Sequence, residues 1–250
     1  MNLRMGKIVA IHQPNFFPWL GYFNKIARAD VFILLDNVQF PKTGGTWINR
    51  VQLAVHGEPT WVTVPIKRAY HGTRLICEIE INDGIPWRTK FLKTLQSNYG
   101  RAPFFSDVYP VIASLVEQAS ESLSEFNISA IKALMEKFGL ETAKLVTGSS
   151  LAGEGNATQL LINMTKKAGG TAYLAGGGAA GYQEDGLFAS EGVDLIYQNF
   201  RHPRYPQFNM SDFIPGLSIL DALMNCGFSK TGLLIGRVAD PERLQFKTEN

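Results

Sequence analysis

Few cysteines and no long apolar run are found in this sequence, and both absences narrow the class of protein it can encode. The two cysteines, Cys77 and Cys226, form neither a CxxC pair nor a Cys/His ligand spacing, so we predict no metal site and a reducing setting. The N-terminal stretch MNLRMGKIVAIHQP lacks the continuous apolar core of a signal peptide. No segment approaches the roughly 20 uninterrupted apolar residues that span a bilayer. These patterns predict a soluble, cytoplasmic protein that does not contact a membrane.

A strong net charge is also missing. Lys and Arg number 24 against 22 Asp and Glu, which gives a formal net charge of +2. This balance is too mild to indicate nucleic-acid binding. At 250 residues the chain can bury a substantial core, and a single α/β domain of this size is common. We therefore expect residues 1–250 to form one domain.

The order of apolar segments predicts an α/β fold. The runs KIVAI and VFILL are predicted strands, and the segment PWLGYFNKIARA between them repeats apolar residues at helical spacing. A strand, a helix and a buried strand in succession indicate a right-handed βαβ unit with parallel strands. We predict a β-hairpin or meander insertion from VQLAV, TWVTVPI and LICEIEI, and a helical subregion at about residues 86–140. The predicted fold is therefore a mostly parallel, Rossmann-like sheet with a hairpin insertion and a helical middle segment.

Polar residues follow each of the first two predicted strands. His12, Gln13 and Asn15 come after KIVAI, and Asp36 and Gln39 come after VFILL. Because ligands bind beyond the carboxyl ends of parallel strands, we expect these residues to line one crevice. His12 or Asp36 could act as a general base there, while the amides orient a substrate. The alternative is that the His and Gln side chains only satisfy backbone groups of the loop.

Two later loops concentrate cations beside aromatic residues. Arginine can bind a phosphate with paired hydrogen bonds, lysine binds it as a point charge, and tryptophan can stack on a base or a sugar face. We therefore predict that these loops bind substrate, and the alternative is a solvated loop with incidental charges. The residues concerned, in KTGGTWINR and NFRHPRYPQ, are Lys42, Trp47, Asn49, Arg50, Arg201 and His202.

The predicted closing helix, FIPGLSILDALMNCG, adds further polar candidates. Asp221 and Asn225 are four residues apart and therefore share one helix face, where they could contact substrate. Cys226 could serve as a nucleophile only if a histidine such as His202 stabilised its thiolate, and we predict instead that this thiol is structural. Gly227 is the predicted helix stop. The run GGGAAGY at residues 176–182 could cradle a phosphate, although its spacing does not match a dinucleotide motif.

Several ordered motifs resemble the WbqC-like family of bacterial proteins along nearly the whole chain. They are IHQPNFFPWLGYFNKIARADVFILLDNVQF, WINR, WVTVPI, WRTKFLKTLQSNYGRAPFF, TAYLAGGGAAGY, HPRYPQ and FIPGLSILDALMNCG. The resemblance implies a role in the biosynthesis of O-antigen or another surface polysaccharide. The opening also resembles that of nucleotidyltransferases and class I synthetases. Those enzymes use His-x-Gly-His where this chain has Trp19–Leu20–Gly21–Tyr22, so only the fold is carried over.

The resulting hypothesis is a transferase that acts on a nucleotide-linked amino sugar, by N-acyl or aminoacyl transfer. Its expected partners are the nucleotide sugar and an acyl or aminoacyl donor, no cofactor is identified, and a homo-oligomer is compatible with the sequence. A glycosyltransferase or nucleotidyltransferase is the alternative enzyme, which the lack of a DxD pair and of His-x-Gly-His weakens. A third hypothesis is a non-catalytic sugar-nucleotide-binding protein that assists assembly of the biosynthetic machinery.

Overall fold

The described part of the chain alternates strands with helices. The computed structural model describes residues 6–41, 46–151, 155, 157–176, 184–208 and 210–236. The strands are β1 (Ile8–His12), β2 (Val31–Leu34), β3 (Arg50–Val55), β4 (Glu58–Thr63), β5 (Leu145–Thr147), β6 (Ala172–Ala175) and β7 (Asp194–Tyr197). The α-helices are α1 (Leu20–Arg28), α2 (Trp87–Tyr99), α3 (Phe105–Glu117), α4 (Leu123–Phe138), α5 (Gly148–Leu151), α6 (Ala157–Lys167), α7 (Asp185–Ser190) and α8 (Ile219–Leu234). Within these residues, no helix is both long and apolar enough to cross a membrane.

Five strands form a parallel sheet in the order β5-β2-β1-β6-β7. The parallel pairing predicted for the first two segments is confirmed, with Val9 opposite Val31 and His12 opposite Leu34. From β1 the chain builds outward through β2 in one direction and later through β6 in the other. The strand order therefore reverses between β1 and β6, and sheets of this type bind ligands at the carboxyl edge of such a reversal.

Both faces of the sheet are covered by helices, which explains why its strands are apolar throughout. Successive side chains of a strand point to opposite faces. Val9 and Ile11 accordingly pack against Ile162 of α6, whereas Ala10 belongs to the larger core that also contains Phe23 of α1. The predicted α/β, Rossmann-like class is confirmed.

The predicted hairpin insertion is present as β3 and β4, which pair antiparallel. A two-residue turn joins them, and both His56 (φ 52°) and Gly57 (φ 81°) have the positive φ that this tight turn requires. The strand predicted at LICEIEI is wrong, because residues Ile76–Glu78 form a 3-10 helix. There the backbone N–H groups of Ile76 and Cys77 donate to carbonyls of the segment after β2 instead of to a neighbouring strand.

The helical middle predicted from the sequence corresponds to α2, α3 and α4. The closing helix α8 is also present. Gly227, with φ 71° and ψ 173°, ends its first helical segment as predicted, and a second segment continues from this kink to Leu234. A Cβ atom at this position would lie 2.7 Å from the ring of Phe104. Glycine is therefore required both by the backbone conformation and by the close approach of this ring.

Candidate functional site

A pocket of about 360 Å³ opens at the carboxyl edge of the sheet, beside the reversal of strand order. We call it the edge pocket. His12 ends β1, and Gly176 and Gln198 directly follow β6 and β7, so three strand ends contribute to its wall. The helix α1 that leads away from β1 provides the opposite wall. The described residues that line it are His12, Trp19, Gly21, Tyr22, Lys25, Gly176, Gln198, Phe200 and His202.

Lys25 is the buried basic group of the edge pocket, with 3 % of its surface exposed. It shares one face of α1 with Gly21 and Tyr22, which are four and three residues away. Its Nζ atom donates a hydrogen bond of 2.8 Å to the Ile11 carbonyl, and no carboxylate among the described residues lies within ion-pair distance of it. Burial lowers the pKa of Lys25 to about 7. This amine can therefore gain and lose a proton near neutral pH.

His12 lies beside this lysine and remains neutral. Its Nδ1 atom is 3.2 Å from the Gln13 carbonyl, and its ring packs edge-on against Trp19 at 5.7 Å and Tyr22 at 4.9 Å. Burial, together with the charge of Lys25, lowers the pKa of His12 to about 3. The imidazole can therefore form hydrogen bonds at neutral pH but is a weak base.

Close packing holds the segment after β7 against α1. A Cβ atom at Gly21 would lie 2.8 Å from Trp19 Nε1 and 2.9 Å from Phe200 Cδ1, so the absence of a side chain there lets these rings approach. Gln198 Nε2 donates to the Gly21 carbonyl at 2.6 Å. Arg28 in turn donates to the Gln198 carbonyl at 2.6 Å. The aromatic wall of the pocket is therefore fixed at its base.

The first turn of α1 contributes Gly21 and Tyr22 to the lining of the edge pocket. Its N-cap residue, Trp19, makes no side-chain capping bond, and no acidic residue stands in the first turn. Backbone N–H groups at such a helix start carry partial positive charge and favour anions. None of the described residues that line the edge pocket is acidic. The electrostatics of the pocket therefore favour a negatively charged ligand.

The structure brings two of the predicted site residues, His12 and His202, into the edge pocket. Burial lowers the pKa of His202. Gln13 is adjacent, and its carbonyl accepts a hydrogen bond of 3.0 Å from the Tyr22 hydroxyl. Asn15 is buried, with 2 % of its surface exposed. Arg201 is exposed beside His202, and Lys42 falls outside the described residues.

Asp36 lies at the same carboxyl edge as His12 but on the β2 side, and it does not line the edge pocket. Its two carboxylate oxygens accept hydrogen bonds of 2.8 Å from the backbone N–H and the hydroxyl of Ser149. It thereby joins the end of β2 to α5, which directly follows β5. Gln39 is exposed and bridges to Leu75.

Trp47 belongs to a contiguous set of indoles that starts at the edge pocket. Its ring centroid is 4.9 Å from that of Trp19 and 4.8 Å from that of Trp61. We call these three residues the tryptophan row. The Arg50 guanidinium lies 4.1 Å from the centroid of Trp61, at the end of the row. Asn49 is 4 % exposed and donates to the Val64 carbonyl at 3.0 Å.

Asp221 lies outside the edge pocket as the centre of a buried network. Its carboxylate accepts hydrogen bonds from the hydroxyls of Tyr99 (2.9 Å) and Tyr205 (2.8 Å) and from Gln207 Nε2 (2.9 Å). Burial raises the pKa of Asp221. Asn225 accepts a bond of 2.7 Å from the Phe208 backbone. These two polar residues therefore hydrogen-bond α8 to the segment that follows the pocket wall.

Comparison with known proteins places the chain in a family. The sequence model of the WbqC-like protein family matches residues 13–232. The chain belongs to this family. An uncharacterised Mycobacterium tuberculosis protein, Rv1507c, is 30% identical over 222 residues, which cover 88% of this chain and 94% of the relative. No solved structure matches. All residues of the edge pocket of this WbqC-like protein except His12 fall within the family match.

Two further sequence hypotheses concern this WbqC-like protein. The glycine run starts in the edge pocket with Gly176, and its other positions, 177–182, fall outside the described residues. Cys226 is 3 % exposed, and burial raises the pKa of its thiol. Within the described ranges, no group of three or more His, Cys, Asp or Glu side chains is arranged to hold a metal ion.

Sequence reasoning missed the lysine and the aromatic wall of the edge pocket. The signal for Lys25 was present, since it follows Gly21 by four residues in the helix that leaves the first strand. A lysine in an amphipathic helix ordinarily lies on the solvent side, so the pattern alone favoured exposure. Phe200 lay within the loop NFRHPRYPQ, where only Arg201 and His202 were predicted to bind substrate.

Proposed function

We propose that this WbqC-like protein is a cytoplasmic transferase that joins an acyl or aminoacyl group to the amine of a nucleotide-linked sugar, with the edge pocket as the acceptor site. The proposal is carried by one observation. A buried lysine, an uncapped helix start and an aromatic wall converge, with no carboxylate among the lining residues that the structure describes, at the point where a Rossmann-like sheet reverses its strand order. The association of WbqC-like proteins with surface polysaccharides supports the choice of a sugar.

The edge pocket suits the phosphate-bearing end of such a substrate. The first-turn N–H groups of α1 favour an anion, and the Lys25 amine can hydrogen-bond the amine of the sugar. The Trp19 and Phe200 rings offer apolar faces for a sugar ring or a base. A volume of about 360 Å³ falls within the usual range of small-molecule sites, roughly 300–1,000 Å³.

The proposed transfer requires a proton acceptor for the attacking amine. Lys25 is half deprotonated near its pKa of about 7, so its neutral fraction can take the proton while the sugar nitrogen attacks the acyl carbon. The new carbon–nitrogen bond forms as the bond between the acyl carbon and the donor's leaving group breaks. The leaving group then receives the proton from Lys25.

In this reaction His12 helps to position the sugar and does not accept its proton. The sequence suggested His12 as the general base. We assign this role to Lys25 instead, because a pKa of about 3 makes the His12 imidazole a weak proton acceptor. The neutral ring can still hydrogen-bond the sugar. The presence of groups with shifted pKa values in the pocket supports an enzyme over a non-catalytic sugar-nucleotide-binding protein.

Ligand binding provides the first test. Thermal unfolding would be followed with UDP-, GDP- and dTDP-linked amino sugars, first for the native chain and then for Lys25→Met. The exposed residue Lys132 on α4 provides the matched control, Lys132→Met. We expect one nucleotide sugar to stabilise the native and control proteins by about 2.7 kcal/mol at 100 times its dissociation constant. Equal stabilisation of Lys25→Met would contradict the assignment of the pocket.

Product formation provides the second test. The sugar that binds would be incubated with acyl-CoA and aminoacyl donors, and the acylated sugar detected by mass spectrometry. We expect the rate to rise with pH through about 7, where the Lys25 pKa lies, and to fall at least about a hundredfold in Lys25→Met, as for loss of a general base. Tight binding without any product from either donor class would support the non-catalytic alternative.

A further inference from the structure

The structure assigns a second ligand site to the cleft between β4 and α2, and we infer that it binds a nucleotide, with the base against Trp61 and the phosphate beside Lys90. This outer cleft has a volume of about 360 Å³ and shares no lining residue with the edge pocket. Its lining is Trp61, Val62, Thr63, Pro65, Ile85, Trp87, Lys90, Phe91 and Thr94.

Exposed apolar side chains mark the outer cleft as a binding surface. Trp61 is 37% exposed and Ile85 is 41% exposed, and both line the cleft. These exposed side chains line one cleft and are not scattered singly over the surface, and such grouping indicates a ligand or partner site. Trp87 and Phe91 form the buried floor. The Trp87 indole N–H is already bonded to Asp83 at 2.7 Å, which leaves the cleft side of this floor aromatic and apolar.

The Trp61 ring is held in place before any ligand arrives. The Arg50 guanidinium packs over it at 4.1 Å, and Trp47 packs against it edge-on at 4.8 Å. A ligand that stacks on such a ring does not have to immobilise it, which favours affinity. Nucleobases stack well on aromatic side chains because every base has a π face.

The charge of the outer cleft favours an anion. Lys90 lines it, and no described carboxylate lies within ion-pair distance of this lysine. Among the described residues that line the cleft, none is acidic. The nearby carboxylate of Asp83 is already paired with Arg88 at 3.1 Å. The cleft therefore combines an aromatic platform with a lysine ammonium that can bind a phosphate.

The backbone of β4 adds hydrogen-bonding groups that an apolar ligand would leave unused. In a hairpin closed by a two-residue turn, alternate residues direct their N–H and C=O groups away from the partner strand. Counting from the Val55–Glu58 pair, the outward residues of β4 are Pro59, Trp61 and Thr63. Trp61 and Thr63 line the cleft. Their backbone groups can meet the donor and acceptor edge of a base that stacks nearby.

The tryptophan row relates the outer cleft to the edge pocket. Trp61 ends the row and Trp19 lines the edge pocket, with Trp47 in contact with both. The role of this ligand, though not its binding, rests on the proposed function. The nucleotide in the outer cleft would then belong to the acyl donor, whose acyl end reaches along the row toward the acceptor sugar.

Isothermal titration calorimetry can test the nucleotide site without any knowledge of the reaction. The probes are AMP, adenosine and inorganic phosphate, and the variants are Trp61→Ala and Lys90→Met. Lys93→Met is the matched control, since Lys93 is exposed on the same helix but does not line the cleft. We expect AMP to bind more tightly than adenosine and phosphate alone to give no saturable heat.

The variants should separate the two halves of the ligand. Trp61→Ala should weaken AMP and adenosine alike by about tenfold, the loss of one stacking contact. Lys90→Met should weaken AMP and leave adenosine unchanged, and Lys93→Met should change neither. Absence of AMP binding at millimolar concentration would overturn the inference. So would AMP binding that survives Trp61→Ala and disappears in Lys25→Met, because that result would place the nucleotide in the edge pocket.

These outcomes are independent of the proposed transferase reaction. AMP binding that requires Trp61 but not Lys25 supports the outer cleft even if no acylated sugar is ever formed. Loss of amino-sugar binding in Lys25→Met with unchanged AMP binding would show two separate sites, as we infer.

Discussion

Replacing Lys25 with methionine should make the protein more stable at pH 6. The two side chains have similar length, but methionine carries no charge into the interior. A lysine whose pKa falls from 10.5 to about 7 on folding destabilises the folded state by roughly 5 kcal/mol while it is charged in both states, at about 1.36 kcal/mol per pKa unit. The substitution also removes the hydrogen bond to the Ile11 carbonyl, which costs about 1–3 kcal/mol. We therefore expect a net gain of about 2–4 kcal/mol.

The sign of this effect fixes its pH dependence. Below pH 7 the lysine is protonated in the folded and unfolded chains, so its full burial cost is present. Between pH 7 and 10.5 the folded chain releases the proton while the unfolded chain keeps it, and the native protein gains stability as the pH rises. The advantage of Lys25→Met should shrink by about 1.4 kcal/mol per pH unit in this range, so that the two proteins differ by about 1 kcal/mol or less at pH 9.

Urea unfolding at pH 6, 7.5 and 9 measures these free energies directly. The control Lys132→Met, at an exposed position on α4, should stay within about 0.5 kcal/mol of the native protein at each pH. The reasoning is refuted if Lys25→Met is the less stable protein at pH 6, or if its difference from the native protein does not change between pH 6 and 9. A gain in stability combined with a loss of ligand binding would be typical of a functional residue.

The remaining predictions concern one titration and two stabilities. In nuclear magnetic resonance titrations, His12 should keep its neutral imidazole signals down to about pH 4, given its pKa of about 3, and the pKa should rise in Lys25→Met because a nearby positive charge is lost. A His12 midpoint near 6.5 in the native protein would show a solvated imidazole and contradict this prediction. Asp221→Asn should lower the free energy of unfolding in urea by about 2–4 kcal/mol, because an amide cannot accept all three hydrogen bonds that the carboxylate accepts. A change below about 0.5 kcal/mol, the usual range of surface substitutions, would argue against the network. Gly227→Ala should cost about 2 kcal/mol or more because of its φ of 71° and the Phe104 ring, whereas Gly186→Ala, where a Cβ meets nothing within 4 Å, should be neutral or slightly stabilising.

Local patterns predicted the opening of the fold because each local preference agreed with the final structure. KIVAI and VFILL are short, β-branched and bounded by polar turns, and they do form paired parallel strands. The strand predicted at LICEIEI was wrong, and the pattern of its buried residues explains why. Its buried residues, Ile76, Ile79 and Ile81, do not follow a strict alternation. A 3-10 turn buries the first two and leaves the backbone to bond to the segment after β2.

The candidate site was predictable only as an edge of the sheet. The sequence places His12 and Asp36 after successive strands, and both do lie at the carboxyl edge. Which neighbours a strand acquires is decided by later segments, and β6 takes the place beside β1 opposite to β2. The edge pocket therefore lies on the side away from Asp36. Packing of this late strand also buries Lys25, which no local pattern of the helix could indicate.

The position of β1 at the centre of the sheet has a consequence for synthesis of the chain. Its partner β6 and the helix α8, whose N-cap Ser218 donates to the Phe17 carbonyl across a separation of 201 residues, emerge from the ribosome long after β1 itself. At about 5–20 residues per second, this delay is roughly 8 to 32 s for β6 and roughly 10 to 40 s for α8. During that time the apolar edge of β1 that awaits β6 has no partner strand, and contacts of such long range also slow folding in general. The nascent chain should therefore depend on chaperones until the last third of the sequence has been made.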